Sequence, residues 1–242
     1  MRIPRLKIKY LFAGTFFRVF AGSKVQIGSN VKILHSRLIV GPGASLKIAS
    51  NVKIQNSEIY VEKGSLEIGE YCIFVGDNKY RRVRIIINEG KVSIGNHTRI
   101  SCEKMWIRFG GKLTIGDYSN INTGSEIRCD ESVVIGSYNQ ISYDVKIWDT
   151  NTHNILDIDE RRAIAEKYYP YFGYEEKRPK SSPVQIGDDC WIGEGAAVLK
   201  GSNLGNCSVV GMRTVIAGQS IPPNGRVVQD IKLRLLNGDI SV

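Results

Sequence analysis

Large aliphatic side chains return every sixth position at Ile186, Ile192, Val198, Leu204, Val210 and Ile216. The next residue is usually small (Gly187, Gly193, Gly205, Gly211, Ala217), and another small or modest side chain stands four places on (Cys190, Ala196, Ser202, Ser208, Thr214, Ser220). The same phase runs through Ile115, Ile121 and Ile127, then Ile135, Ile141 and Ile147. Earlier members are Ile94 and Ile100, Ile68 and Phe74, Ile48 and Ile54, and Ile27, Ile33 and Ile39. Six is even, so on an extended chain each aliphatic returns to one side, whereas a helix would scatter them around its axis. A short strand with one apolar residue cannot form a core alone. Coils of three such strands, stacked into a triangular prism, can. The strand starts near Ile27, Ile48, Ile68, Ile94, Ile115, Ile135, Ile186 and Leu204 predict an all-β parallel β-helix of about eight coils. At ~4.8 Å per coil its height is roughly 40 Å. The prism covers residues 25–225, with a bulge near Asp77–Val83 and terminal segments 1–24 and 226–242.

The period stops after Ile147 and resumes at Val184, leaving a loop excursion over 149–183. Long insertions in a regular scaffold are commonly functional. This one opens Asp149-Thr-Asn151-Thr-His153-Asn154 and carries one of the chain's three histidines. Imidazole, with an unperturbed pKa of about 6.5, suits general-base work, and Asp149 and Asn151 are the candidates to hold its second nitrogen. His35 and His97 sit in ordinary coil positions and read as structural. Farther along, Tyr168, Tyr169, Tyr171 and Tyr174 with Arg161, Arg162, Lys177 and Arg178 suit stacking on a sugar, pairing with an acidic group, or packing on a neighbouring subunit.

Charge refines the picture. The chain of 242 residues has a net charge of +9. Arg2, Arg5, Lys7, Lys9, Arg18 and Lys24 supply six positive charges with no acid before residue 25. No nucleic-acid recognition motif accompanies the excess, so nucleic acid is not an expected partner. Beside Leu11, Phe12, Phe16, Phe17 and Phe20 the cluster reads as a helix, either capping the core or lying on an anionic membrane surface through residues 1–22. No apolar run approaches the ~18–20 residues of a membrane span. Five cysteines without C-x-x-C or zinc spacing read as reduced thiols of a cytoplasmic protein, and no metal is expected.

Asp-x-Asn-x-His, a loop, then Ser182-Pro183-Val184-x-Ile-Gly-x-x-x-Trp191-Ile192-Gly193 resembles the hexapeptide-repeat acyltransferases, in their sugar O-acetyltransferase branch. The resemblance covers about residues 25–225. It implies a left-handed β-helix and a homotrimer with active sites between prisms. It also implies an acetyl-CoA-dependent transfer to a sugar hydroxyl of a surface polysaccharide or its lipid-linked precursor, with a peripheral place at the inner membrane face left open. His153 takes the role of base, Asn122 lines the acceptor pocket, and Trp191 lies by the thioester arm. CoA runs along Gly195-Ala196 and Gly211-Met212-Arg213, with Arg213, Lys232 or Arg234 at its phosphates. Glu194, Met212-Arg213, Ala217-Gly218 and the segment Val227–Lys232 depart from the family pattern. An N-acyltransferase acting on an amino sugar and a catalytically inactive scaffold remain the alternatives.

Overall fold

The structure is a computed structural model that describes residues 10–78, 81–171 and 175–230. Short strands wind into three parallel sheets of ten, nine and nine strands, which form the three faces of a prism. The first face runs from Tyr10–Ala13 to Arg226–Val227, the second from Phe16–Val19 to Val215–Ala217, and the third from Lys24–Ile27 to Ser220–Ile221. Every strand pairs with its counterparts one coil above and below. The repeat therefore appears as columns such as Ile100, Ile121, Ile141, Ile192 and Val210 in direct register.

Nine full coils and the first strand of a tenth are present, more than the eight expected. The C-terminal surplus comes from Ser220–Ile221 and Arg226–Val227. The N-terminal surplus corrects the helix expected before residue 25: Tyr10–Ala13 and Phe16–Val19 are strands, pairing with Val31–Leu34 and Arg37–Val40. Phe17 packs against the core while Phe12 and Phe16 stay exposed, and the Arg18 guanidinium lies 4.5 Å from the Phe20 ring centroid. Residues 1–9 lie outside the described residues, as does the tail from 231 that carries Lys232 and Arg234.

The aliphatic columns fill one continuous core. Ile39 is an exception: Leu38 and Val40 are buried and Ile39 points outward, because Leu38 is the residue in register with Ile59. The corner before it is one residue shorter than the strict repeat, and a single-residue slip reverses which side faces in. Cys190, Ala196, Ser202, Ser208 and Thr214 are buried at the corners, where the inside of a tight bend has room only for modest side chains.

Side chains also link coils along the edges. Between the third and first faces, the Asn96 N–H donates to Asp117 Oδ1 (2.6 Å), the Ser137 N–H to Asp188 Oδ1 (2.7 Å) and the Asp188 N–H to Asn206 Oδ1 (3.0 Å). Beside that column, Tyr71, His97, Tyr118 and Tyr138 stack with centroids 4.9, 4.6 and 5.1 Å apart. His97 is thus a member of an aromatic ladder. No helix among the described residues is long and apolar enough to cross a membrane.

Four cysteines are buried and Cys207 is exposed. Burial pushes the Cys72 thiol up to about 11 and the Cys102 thiol up to about 12, and raises Cys129 and Cys190 as well. Thiolate is the reactive form. At pH 8 the native protein is expected to react with a chromogenic disulfide reagent quickly at Cys207 alone, and at all five after denaturation. Rapid labelling of two or more native thiols would contradict the packed core.

Candidate functional site

The chain leaves the prism after Trp148, at the edge between the second and third faces, and returns at Val184. Asp149 is the hinge. Its carboxylate is buried and accepts the N–H groups of Asp130 (2.8 Å), Glu131 (2.8 Å) and Ser132 (2.7 Å) at the corner of the preceding coil. Burial pushes its carboxyl above the usual range, against the opposing pull of those three donors. This is an anchoring role, and it corrects the expectation that Asp149 holds His153. Asn151 does not hold it either; its N–H donates to the Lys180 carbonyl (3.0 Å) and its side chain is exposed.

A buried ion pair carries the next step. Arg108, 7% exposed, grips Asp130 with Nε on Oδ1 (2.8 Å) and Nη2 on Oδ2 (2.6 Å). The Thr150 hydroxyl donates to the same carboxylate (2.7 Å). Thr152 has φ of 70°, a strained value for a β-branched residue. Each of its polar groups is held: its N–H by Thr150 Oγ1 (3.0 Å), its carbonyl by Arg108 Nη2 (3.1 Å) and its Oγ1 by Arg128 Nη1 (3.1 Å). The network thus fixes the backbone immediately before His153.

His153 is held by Glu175, from the far end of the excursion: Nδ1 lies 2.9 Å from Glu175 Oε1. Asn154 fixes the other carboxylate oxygen through Nδ2 (2.6 Å). The His153 side chain is 56% exposed and that of Glu175 only 10%. A carboxylate at Nδ1 favours the proton there and leaves the Nε2 lone pair free to accept one. Between the two partners, residues 158–168 form helix α1, capped by the Asp157 side chain, with no buried residue. Ile155, Tyr169 and Tyr171 are also exposed, and Tyr174 lies outside the described residues. A helix of eleven residues is marginal without packing; here Ile164, Ala165 and Tyr168 are half-buried, and Lys167 and Tyr168 bond Glu176.

Asn122 lies elsewhere, at the edge between the first and second faces, in the wall of a cleft of about 940 Å³ that no described residue of the excursion lines. Asn120 Nδ2 donates to Asn122 Oδ1 (3.2 Å), so the Asn122 amide presents its N–H donors. Gly124, at φ 77°, makes room for Asp144; a β-carbon there would lie 1.9 Å from Asp144 Oδ1. Farther down the same edge come Gly195, Gly211, Met212 and Arg213, with Trp191 on the adjoining face. Trp191, Met212 and Val215 are each exposed.

Ala196 does not belong with them. Its side chain is in the core, its N–H donates to Gly193 and its carbonyl accepts Lys146. The N–H groups of Gly195, Gly211 and Arg213 are likewise used, by the carbonyls of Tyr143, Val227 and Glu194. A ligand on these coils meets side chains, the remaining carbonyls and the Met212 N–H, which has no acceptor among the described residues.

His153 and Asn122 therefore occupy two edges at one level of the prism. Thr152, beside His153, is tied to Arg108 and Arg128 of the fifth and sixth coils, and Asn122 stands in the sixth. The second face separates them by roughly 13 Å of extended strand. Arg108, Asp130 and Glu175 are the residues that sequence spacing does not reveal. Among the described residues no group of three His, Cys, Asp or Glu is placed to hold a metal ion.

Comparison with known proteins points one way. The chain is 32% identical over 152 residues to WbbJ of Escherichia coli (strain K12), described as a lipopolysaccharide biosynthesis O-acetyl transferase; the match spans 60% of this chain and 74% of that one. It is 30% identical over 128 residues to the acetyltransferase Rv3034c of Mycobacterium tuberculosis (strain ATCC 25618 / H37Rv), spanning 52% of this chain and 36% of that longer protein. The crystal structure of the polySia specific acetyltransferase NeuO shares the fold, with a TM-score of 0.52 at 18% identity over 95% of this chain and 82% of that one. No family model matches the sequence.

Replacing Arg108 with Ala strands the Asp130 carboxylate in the interior. Breaking a buried pair in this way costs about 3–5 kcal/mol, measurable by urea unfolding. A loss below ~1 kcal/mol would show that the clamp is not what fixes the excursion.

Proposed function

The chain belongs to the hexapeptide-repeat acyltransferases, in their sugar O-acetyltransferase branch, and on that footing we propose how it works. It moves an acetyl group from acetyl-CoA to a sugar hydroxyl of a surface polysaccharide or its lipid-linked precursor. His153 Nε2 takes the hydroxyl proton as the oxygen attacks the thioester carbon. The C–S bond then breaks, and the imidazolium returns the proton to the departing CoA thiolate. Glu175 keeps Nδ1 protonated and balances the charge the ring gains, as a positioning residue. The observation that carries this reading is the His153–Glu175 pair, braced through Thr152 and Asn154, with Nε2 unclaimed among the described residues. A lone surface histidine in an inactive scaffold needs no such bracing.

The donor site is proposed along the lower coils of the edge that bears Asn122. Trp191, Met212 and Val215 offer apolar contact to the pantetheine arm there, and Arg213 offers a cation to the phosphates. Gly195 and Gly211 keep the surface low. The outward amide of Asn122 is a donor for the acceptor oxygen or the oxyanion.

Since His153 and Asn122 lie on different edges at one level, the working site is proposed to form between two copies of the chain. A rotation axis parallel to the prism preserves height, so a trimer brings one copy's His153 to the next copy's Asn122 cleft. The unburied helix α1 and the exposed Ile155, Tyr169 and Tyr171 supply surface for that contact. Exposed Phe12 and Phe16 beside Arg18 are compatible with a peripheral place at an anionic membrane.

Acetyl-CoA consumption with a panel of glycans tests the mechanism. His153→Ala is expected to lose about 10²–10⁴-fold in kcat. Glu175→Gln is expected to lose at least about tenfold by releasing the tautomer, with donor KM little changed. Undiminished turnover in His153→Ala would contradict the proposal.

A further inference from the structure

The Asn122 cleft carries more chemistry than a hydroxyl acceptor needs. Arg81, Arg82, Arg84 and Arg99 line it together with Glu58, Asp77, Glu103 and Asp144. Two of these cations are paired: Arg82 Nη1 lies 3.7 Å from Glu58 Oε1, and Arg84 Nη2 lies 3.1 Å from Glu103 Oε1. Arg81 and Arg99 have no carboxylate within ion-pair distance among the described residues. Asp77 accepts the Thr123 hydroxyl (3.3 Å), and Asp144 lies against Gly124. Ser101, 6% exposed in the lining, has a hydroxyl closed off from the cleft and without a partner among the described residues. Tyr143, about half exposed, adds a flat apolar wall.

The formal charges of the described lining residues balance, so a general positive field is not what selects the ligand. Selection comes from direction. A neutral sugar would leave two guanidiniums without a counter-charge. A bare anion would leave Asp144 and the Asn122 amide without hydroxyl partners. A pyranose with both hydroxyls and a carboxylate answers both sets, because guanidinium and carboxylate meet through paired, charge-assisted hydrogen bonds. A volume of about 940 Å³ is at the upper end for small-molecule sites and accommodates more than one sugar ring.

We infer that this cleft binds a carboxylate-bearing sugar residue of a glycan, with Arg99 and Arg81 on the carboxylate and Asn122 and Asp144 on hydroxyls. The inference rests on the acetyl-transfer reading for calling that glycan the acceptor. Binding itself is measured without acetyl-CoA.

Calorimetry on the full chain compares a neutral glucose oligosaccharide, a uronic-acid oligosaccharide of equal length and a phosphorylated sugar. The uronate is expected to bind at least about tenfold more tightly than the neutral glycan, from one charge-assisted contact. Arg99→Gln should erase that gap and Arg99→Lys should keep part of it, with circular dichroism confirming that both variants fold. Equal affinity for neutral and acidic glycans, or an unchanged gap in Arg99→Gln, overturns the inference. Tighter binding of the phosphorylated sugar overturns the choice of carboxylate. If the acidic preference holds but no glycan is acetylated, the transfer reading fails and the cleft's ligand class stands. Equal affinity for neutral and acidic glycans, with acetyl transfer still observed, gives the reverse result.

Discussion

A strand of two to five residues buries at most three of them and leaves its amides and carbonyls pointing along the prism axis. Only the coils above and below can satisfy them, so each coil's place depends on the stack. Stacking also copies position. Whatever stands at a given point of one coil lies directly over its counterpart in the next, about 4.8 Å away. The aliphatic core, the Tyr71–Tyr138 ladder and the line from Asn122 toward Gly211 are therefore columns of one lattice. Function on such a scaffold is a matter of which edge and which level.

The excursion over 149–183 breaks the lattice at one point, and its anchoring follows from that. A loop leaving a rigid prism has no ladder to hold it, so side chains take over. Asp149 satisfies three backbone donors of the preceding corner, and Arg108 and Asp130 tie the next residues to two earlier coils. Thr152 is kept in a strained conformation by bonds at every polar group, which sets where His153 begins. Glu175 then closes the loop on itself by gripping that histidine. A histidine on a long loop is thus held with the rigidity of the core beneath it.

How much of this is legible in the sequence depends on range. The hexad reports local burial and shows the prism, the break and His153 directly. It slips at Ile39, where a corner one residue shorter transfers the burial to Leu38. It also misreads the N-terminal aromatics: Phe16 and Phe17 alternate as a strand, yet basic residues among them resemble an amphipathic helix. Asp149 and Asn151 stand nearest His153 in the chain, but the corner amides claim the first and the geometry of the turn excludes the second. Glu175, twenty-two residues away, is joined to His153 only by the fold of the loop. Ala196 fits the family's binding stretch by position, whereas the inside of a corner makes it core. Periodic contacts leave a spacing in the sequence; single long-range contacts leave none.

The central claim is that the base of one copy serves the acceptor cleft of another. The most direct measurement mixes two inactive variants, His153→Ala and Asn122→Ala, after reversible dissociation and reassembly, and follows acetyl transfer. Mixed assemblies contain interfaces that join an intact His153 to an intact Asn122, so the account predicts that activity returns to an appreciable fraction of wild type. Mixtures that remain as inactive as either variant alone, despite verified subunit exchange, would place both residues in one chain's site and contradict it.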